Sequence, residues 1–127
     1  MHNPPVILLA DDDVGFQEII RTKLKRLGFL VAEAHDGREA VDKAVLLHPD
    51  LILMDVRMPK MTGYEACRAM KADPALKDIP VVFLSAKGQD SEIQTGLDVG
   101  AEEYLLKPFA PDQLTDRVKT ILAKFGK

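Results

Sequence analysis

Several acids, one hydroxyl and one amine stand at the ends of short apolar runs in this sequence. Val6–Ala10 leads directly into Asp11-Asp12-Asp13, Leu51–Met54 into Asp55, Val81–Leu84 into Ser85, and Glu103–Leu106 into Lys107. Runs of four or five apolar residues read as strands buried on both faces, as in a parallel sheet. In open α/β sheets the carboxyl ends of the strands form the edge where ligands bind. If the strands are parallel, these groups share one rim. Two carboxylates about 4 Å apart repel by roughly 4 kcal/mol at an effective dielectric near 20, so Asp11, Asp12 and Asp55 together call for protonation or a counter-charge. An all-oxygen set favours a hard divalent cation, Mg²⁺ or Mn²⁺, over zinc. Magnesium takes one or two carboxylates and leaves the remaining one free for nucleophilic attack on phosphorus. Catalysis of phosphoryl transfer is positioning plus cations. The Lys107 ammonium and the Ser85 hydroxyl suit that task. Taken singly each residue has a plainer reading: Ser85 as a turn former, Lys107 as a solvated charge, Asp11–Asp13 as acids at a helix N-terminus. Their common placement at strand ends is what gives the set its weight.

The elements that must position them alternate along the chain. A helix fits Val14–Leu27, with Phe16, Ile20, Leu24 and Leu27 at helical spacing, Asp13 as N-cap and Gly28 as the stop. Phe29–Ala34 is the second strand. Asp36 caps a second helix, with Glu39 three residues on as in a capping box and Ala40, Val41, Ala44, Val45 and Leu47 on its apolar face. Pro49-Asp50 ends that helix before the Asp55 strand. Gly63 opens a third helix carrying Tyr64, Cys67 and Met70, which Asp73-Pro74 breaks. A weaker fourth helix, around Ser91–Val99, contains Gly96; a mid-helix Gly costs on the order of 1 kcal/mol relative to Ala, so this helix is expected to be the most mobile. Pro111 starts a fifth helix with Leu114, Val118, Ile121, Leu122 and Phe125 as its core face. Strict βα alternation predicts an α/β fold, a doubly wound (βα)5 domain of three layers with a five-stranded parallel sheet. Right-handed crossovers put all the strand C-termini on one edge.

Bulk properties narrow the classes. The 127 residues suit a single domain, 1–127, with 1–5 as an N-terminal tail. A net charge of −3 with no basic run argues against direct nucleic-acid binding by this domain. No apolar run approaches a membrane span, Met1–Pro5 lacks the build of a signal peptide, and the single Cys67 fits a reducing cytoplasm. Cys67 reads as helix packing in preference to a reactive thiol.

With these residues in view, the chain resembles the receiver domain of two-component response regulators, the CheY-like superfamily, over essentially its whole length. The matching stretches are Ile7–Asp13, Leu51–Gly63 (Leu-Ile-Leu-Met-Asp-Val-Arg-Met-Pro-Lys-Met-Thr-Gly), Val82–Lys87 and Gly100–Phe109. The resemblance implies Asp55 as phosphoacceptor, Asp11 and Asp12 as the acidic pair of a Mg²⁺ site, and the Arg57 carbonyl as a further ligand. It implies Ser85 as the switch hydroxyl, Ala86 as a backbone N–H donor to phosphate, Lys107 as the phosphate-binding lysine and Tyr104 as the rotameric aromatic. It also implies a cis peptide at Lys107-Pro108 and the flavodoxin-like strand order 2-1-3-4-5, which is carried over from chemotaxis receivers. The implied partners are a sensor histidine kinase or a histidine phosphotransfer protein, and a target or output domain bound by the face of the fourth helix, fifth strand and fifth helix. Such a domain is a signalling switch that catalyses its own phosphorylation and dephosphorylation only, and not an enzyme in the wider sense.

Arg57 and Lys87, each two residues past a site residue, are individual to this chain and are expected to modulate phosphoryl lifetime. Three rivals fit less well. Haloacid-dehalogenase-like phosphatases share the aspartyl nucleophile, but Gly15 stands where their motif has Thr or Val. A flavin carrier would need phosphate donors where this chain has three Asp residues. A phosphorylation-independent docking module has no use for the full set. The chain ends at Lys127, directly after the last helix. Arg117 fits the charged pattern of receivers that dimerise before DNA binding, whereas Gln113 stands in place of an acid. The expectation is therefore a stand-alone cytoplasmic regulator, monomeric or dimerising on phosphorylation. The alternative is a receiver cut from a larger DNA-binding regulator or hybrid kinase.

Overall fold

The computed structural model describes residues 4–85, 100–106 and 110–125. Five strands, β1 (Val6–Ala10), β2 (Leu30–Ala34), β3 (Leu51–Asp55), β4 (Val81–Ser85) and β5 (Glu103–Leu106), form one sheet in the order β2-β1-β3-β4-β5. Every pairing is parallel. Among the described residues the helices are α1 (Val14–Arg26), α2 (Gly37–Leu47), α3 (Gly63–Lys71) and a C-terminal helix (Pro111–Lys124). The fourth helix expected around Ser91–Val99 lies outside the described residues, as do Ala86, Lys87, Lys107 and the Lys107-Pro108 peptide.

β3 lies at the centre of the sheet, and all five of its residues are buried, as its unbroken apolar run requires. Alternate residues of the strands face two cores. Ile7, Leu9, Leu51, Leu53, Val82 and Leu84 pack with Ile20 and Leu24 of α1 and with Leu114, Val118, Ile121 and Leu122 of the C-terminal helix. Leu8, Ile52, Met54, Val81 and Phe83 pack with Ala40 and Ala44 of α2 and Ala66, Cys67 and Met70 of α3. The result is three layers, helices on both faces of the sheet.

Helix boundaries follow local chemistry. Asp13 accepts from the Phe16 N–H and caps α1, and Gly28 follows its end at φ 94°. Asp36 caps α2 by accepting from the Glu39 N–H, but Glu39 reaches back to the His35 N–H, so the expected capping box is displaced by one residue. A true capping box starts α3: Thr62 accepts from the Glu65 N–H and Glu65 from the Thr62 N–H.

Two residues assigned to apolar helix faces are exposed. Leu27 is 41% exposed because α1 ends at Arg26 and Leu27 is only its C-cap. Val45 is 51% exposed: α2 meets the core through a narrow line of Gly37, Ala40 and Ala44, and Val45 falls outside that line near the helix end. The α1 core stripe instead recruits Gln17, 1% exposed, whose amide donates to the carbonyls of Leu9 and Ala34. That amide ties the C-terminal ends of β1 and β2 to the helix that follows the acidic run.

Candidate functional site

The sheet register brings the strand ends together. Ala10 pairs with Met54, so the next residues, Asp11 and Asp55, stand level on neighbouring strands. Asp55 pairs with Leu84, and Ser85 pairs with Leu106, one residue further along the same edge. Lys107 follows Leu106 in the chain, and its placement lies outside the described residues. Residues as far apart in sequence as Asp11 and Ser85 thus share one rim because every crossover returns the chain to the same end of the sheet.

One carboxylate oxygen from each of Asp11, Asp12 and Asp55 lies within 4.8 Å of the other two. Asp11 is fully buried, Asp55 is 9% exposed and Asp12 is exposed. Three carboxylates this close, two of them shielded from water, concentrate negative charge that a divalent cation relieves. The donor set is all oxygen, with neither His nor Cys in the cluster, and so fits a hard cation. The third member of the acidic run has another task. Asp13 caps α1, and its own N–H donates to Asp11 Oδ1 at 2.9 Å. That bond orients the Asp11 carboxylate from below.

The loop after Asp55 is held from three sides. The Val56 N–H donates to the Leu84 carbonyl at 3.3 Å, and the Gly63 N–H donates to the Val56 carbonyl at 2.8 Å. α3 therefore begins against the backbone of Asp55. A Cβ at Gly63 would overlap the Asp55 carbonyl oxygen and stand 3.0 Å from the Val56 Cα, so only glycine permits this approach. A Cβ at Gly37 would likewise overlap the Met61 carbonyl, which seats the loop on the start of α2. Lys60 adopts φ 69°, and its ammonium lies 3.6 Å from the Asp36 carboxylate. The Glu39 backbone N–H, with help from Lys60, holds the Asp36 carboxyl below its ordinary range. Arg57 is exposed on this loop.

Tyr104 is half-buried. Its ring is tilted against Phe83 with centroids 6.2 Å apart, and its hydroxyl accepts a hydrogen bond from the Tyr64 hydroxyl at 3.3 Å. Tyr64 in turn meets Phe83 edge-on at 5.0 Å. No local pattern points to the Tyr64 contact, because the two tyrosines are forty residues apart. Thr62 does carry a sequence signal, since Thr-x-x-Glu at 62–65 is the capping-box signature. Cys67 is buried, and burial pushes its thiol up to about 11, which removes it from the candidate nucleophiles.

Comparison with known proteins fits this geometry. The family described as response regulator receiver domain matches residues 7–119. The DNA-binding dual master transcriptional regulator RpaA of Synechocystis is 38% identical over 120 residues, 94% of this chain and 50% of that protein. The chain spans about half the length of the curated relatives it matches. Among solved structures, the chemotaxis response regulator CheY4 of Vibrio cholerae aligns with a TM-score of 0.87 and 33% identity over 92% of this chain and 98% of that one. The receiver domain of sensor histidine kinase PA1611 from Pseudomonas aeruginosa, solved with magnesium coordinated in its active-site cleft, aligns with a TM-score of 0.86 and 32% identity over 94% of this chain and 98% of that one. No described helix is long and apolar enough to cross a membrane. The five-stranded parallel order, the acids level on adjacent strands and the family match agree: this chain belongs to the response regulator receiver domains of two-component signal transduction.

Proposed function

We propose that Asp55 accepts a phosphoryl group from the phosphohistidine of a sensor kinase or a histidine phosphotransfer protein. The observation that carries this reading is the clustering of Asp11, Asp12 and Asp55 within 4.8 Å at the carboxyl end of the central strand. An Asp55 carboxylate oxygen attacks phosphorus, the P–N bond breaks, and the imidazole leaves with the electron pair and takes a proton. Asp11, Asp12, Asp55 and the Arg57 carbonyl would hold Mg²⁺, or Mn²⁺, which would supply positive charge for the phosphoryl oxygens. Lys107 neutralises a second oxygen, and the Ser85 hydroxyl with the Ala86 N–H takes the third. Water later attacks phosphorus and regenerates the carboxylate, with Arg57 and Lys87 modulating that step.

Phosphorylation then biases a two-state equilibrium by its differential interaction with the two states. Ser85 moves toward the phosphoryl group, Tyr104 turns into the space released, and the face of the fourth helix, fifth strand and fifth helix binds its partner. Residues 1–127 act in the cytoplasm as one receiver unit of this kind. Incubation with a small phosphodonor and Mg²⁺ tests the acceptor. One phosphoryl group per chain on wild type and none on Asp55→Asn is expected. Label on the Asn variant at that site, or steady turnover of a phosphomonoester, refutes it.

A second reading is favoured by the relatives' length. RpaA, named as DNA-binding, is about twice as long as the stretch that matches. On that reading the receiver regulates a DNA-binding output domain in the same polypeptide. The open reading frame distinguishes this from a regulator that acts alone.

A further inference from the structure

We infer that Tyr64 is a positioning residue for the switch: its hydroxyl holds Tyr104 in its half-buried pose against Phe83 and couples that pose to the backbone of Asp55. The inference rests on the reading of Asp55 as phosphoacceptor and Tyr104 as rotameric switch, and it adds a residue that neither role contains.

The coupling is a short chain of contacts. Gly63 abuts the Asp55 carbonyl so closely that no β-carbon fits between them. Its N–H is bonded to the Val56 carbonyl at 2.8 Å, so the start of α3 follows the β3 terminus without slack. Tyr64 is the next residue. It projects over Phe83, which it meets edge-on at 5.0 Å, and its hydroxyl reaches the Tyr104 hydroxyl at 3.3 Å. Phe83 and Tyr104 are register partners on β4 and β5, so the three rings bridge α3, β4 and β5 on one face of the sheet. Met54, one residue before the acceptor, pairs with Phe83. A shift at the end of β3 therefore reaches Tyr104 by two adjoining routes, across the sheet and through the helix start.

The hydroxyl pair is long compared with the usual O–H···O separation of about 2.7–2.8 Å. It acts as a bias on the Tyr104 population and not as a lock. Its removal should shift the equilibrium by a factor of about three, the size of a weak net hydrogen bond. The bond holds Tyr104 in a half-buried pose, and loading turns the ring into the space that Ser85 releases, so loss of the bond should ease loading.

The chain contains two tyrosines and no tryptophan, so labelling with 3-fluorotyrosine gives one ¹⁹F resonance per switch residue. Tyr64→Phe keeps the ring and deletes only the hydroxyl, leaving Tyr104 as the single reporter. Titration with beryllofluoride and Mg²⁺, which mimic the phosphoryl group on the acceptor, supplies the second readout. The expected result is a Tyr104 resonance displaced toward its loaded position before titration, and half-saturation at about threefold lower beryllofluoride. Tyr104→Phe removes the same bond from the other side, and the double variant should shift half-saturation no further than either single variant does. An unmoved Tyr104 resonance, an unchanged or raised half-saturation, or additive effects in the double variant would overturn the proposal. A wild type whose resonances ignore beryllofluoride would overturn the phosphoacceptor reading instead.

Discussion

Two aspartates bracket the central strand, and their surroundings differ in kind. Asp50 precedes β3 and is 1% exposed; Asp55 ends it and is 9% exposed. At the first end the Asp50 carboxylate accepts from the Val6 N–H at 2.8 Å, while the Asp50 N–H donates to the Val6 carbonyl at 2.8 Å. This carboxylate completes the β1–β3 ladder where the two strands enter the sheet. At the other end Asp55 lies level with Asp11 and within 4.8 Å of two carboxylates. Burial is similar, so burial does not separate a structural acid from a reactive one. What separates them is the charge of the neighbours. A backbone donor stabilises the ionised form and fixes it, whereas neighbouring carboxylates disfavour it and favour the binding of a cation.

The largest blow to the reactive end should come from Gly63→Ala. The added methyl overlaps backbone, which cannot swing aside as a side chain can. The loss expected is about 3 kcal/mol in urea unfolding, the upper range for an overpacked core site. The same variant should lose much of the Mg²⁺-dependent rise in stability, because the start of α3 and the carboxyl end of β3 are displaced together. A variant within about 0.5 kcal/mol of wild type would mean that the loop yields freely. The contrast between a rigid reactive end and a rigid structural end would then fail.

Asp50→Ala probes the structural end and should cost about 2 kcal/mol, since it leaves the half-buried Val6 N–H without its carboxylate acceptor. Its signature is the reverse of that of Gly63→Ala. Stability falls, but the increment gained on adding Mg²⁺ stays at the wild-type value. Loss of that increment would show that the two ends of β3 are not independent, a coupling that a double-variant comparison with Asp55→Asn could measure.

The two ends were unequally legible in the sequence. Asp55 was readable because four apolar residues lead straight into one acid, and because similar runs end in Asp11, Ser85 and Lys107. Period and repetition carried that signal, and the parallel register followed from the βα alternation. Asp50 read only as part of a Pro-Asp helix stop, because its partner, Val6, is forty-four residues away. The Tyr64–Tyr104 contact was silent for the same reason. Val45 is exposed despite its apolar spacing, because that spacing counts positions on a helix and does not register how narrow a stripe the neighbouring sheet accepts. Gln17 is hidden from such patterns because a polar residue at a core position breaks them, although its two bonds to the Leu9 and Ala34 carbonyls are what make its burial tolerable.

Asp55→Asn gives the smallest expected change in stability, and it carries the sharpest sign. In chelator, replacing one carboxylate of the cluster by a neutral amide relieves repulsion from Asp11 and Asp12. Asp12 is exposed and largely screened, so the gain expected is only about 1 kcal/mol. For a chain of this size that raises the melting temperature by about 3–5 °C. Mg²⁺ should reverse the ranking: a cation that binds the folded wild type stabilises it in proportion to the logarithm of its concentration over Kd, and the variant has lost one ligand. Asp50→Asn offers the opposing case, because it exchanges a charge-assisted bond for a neutral one and should lower the melting temperature with or without the metal. Thermal scans of both variants in chelator and in Mg²⁺ check this directly. If Asp55→Asn melts below wild type in chelator, its carboxylate stabilises the fold as Asp50 does. The crowded end of β3 would then be under no electrostatic strain for a cation to relieve.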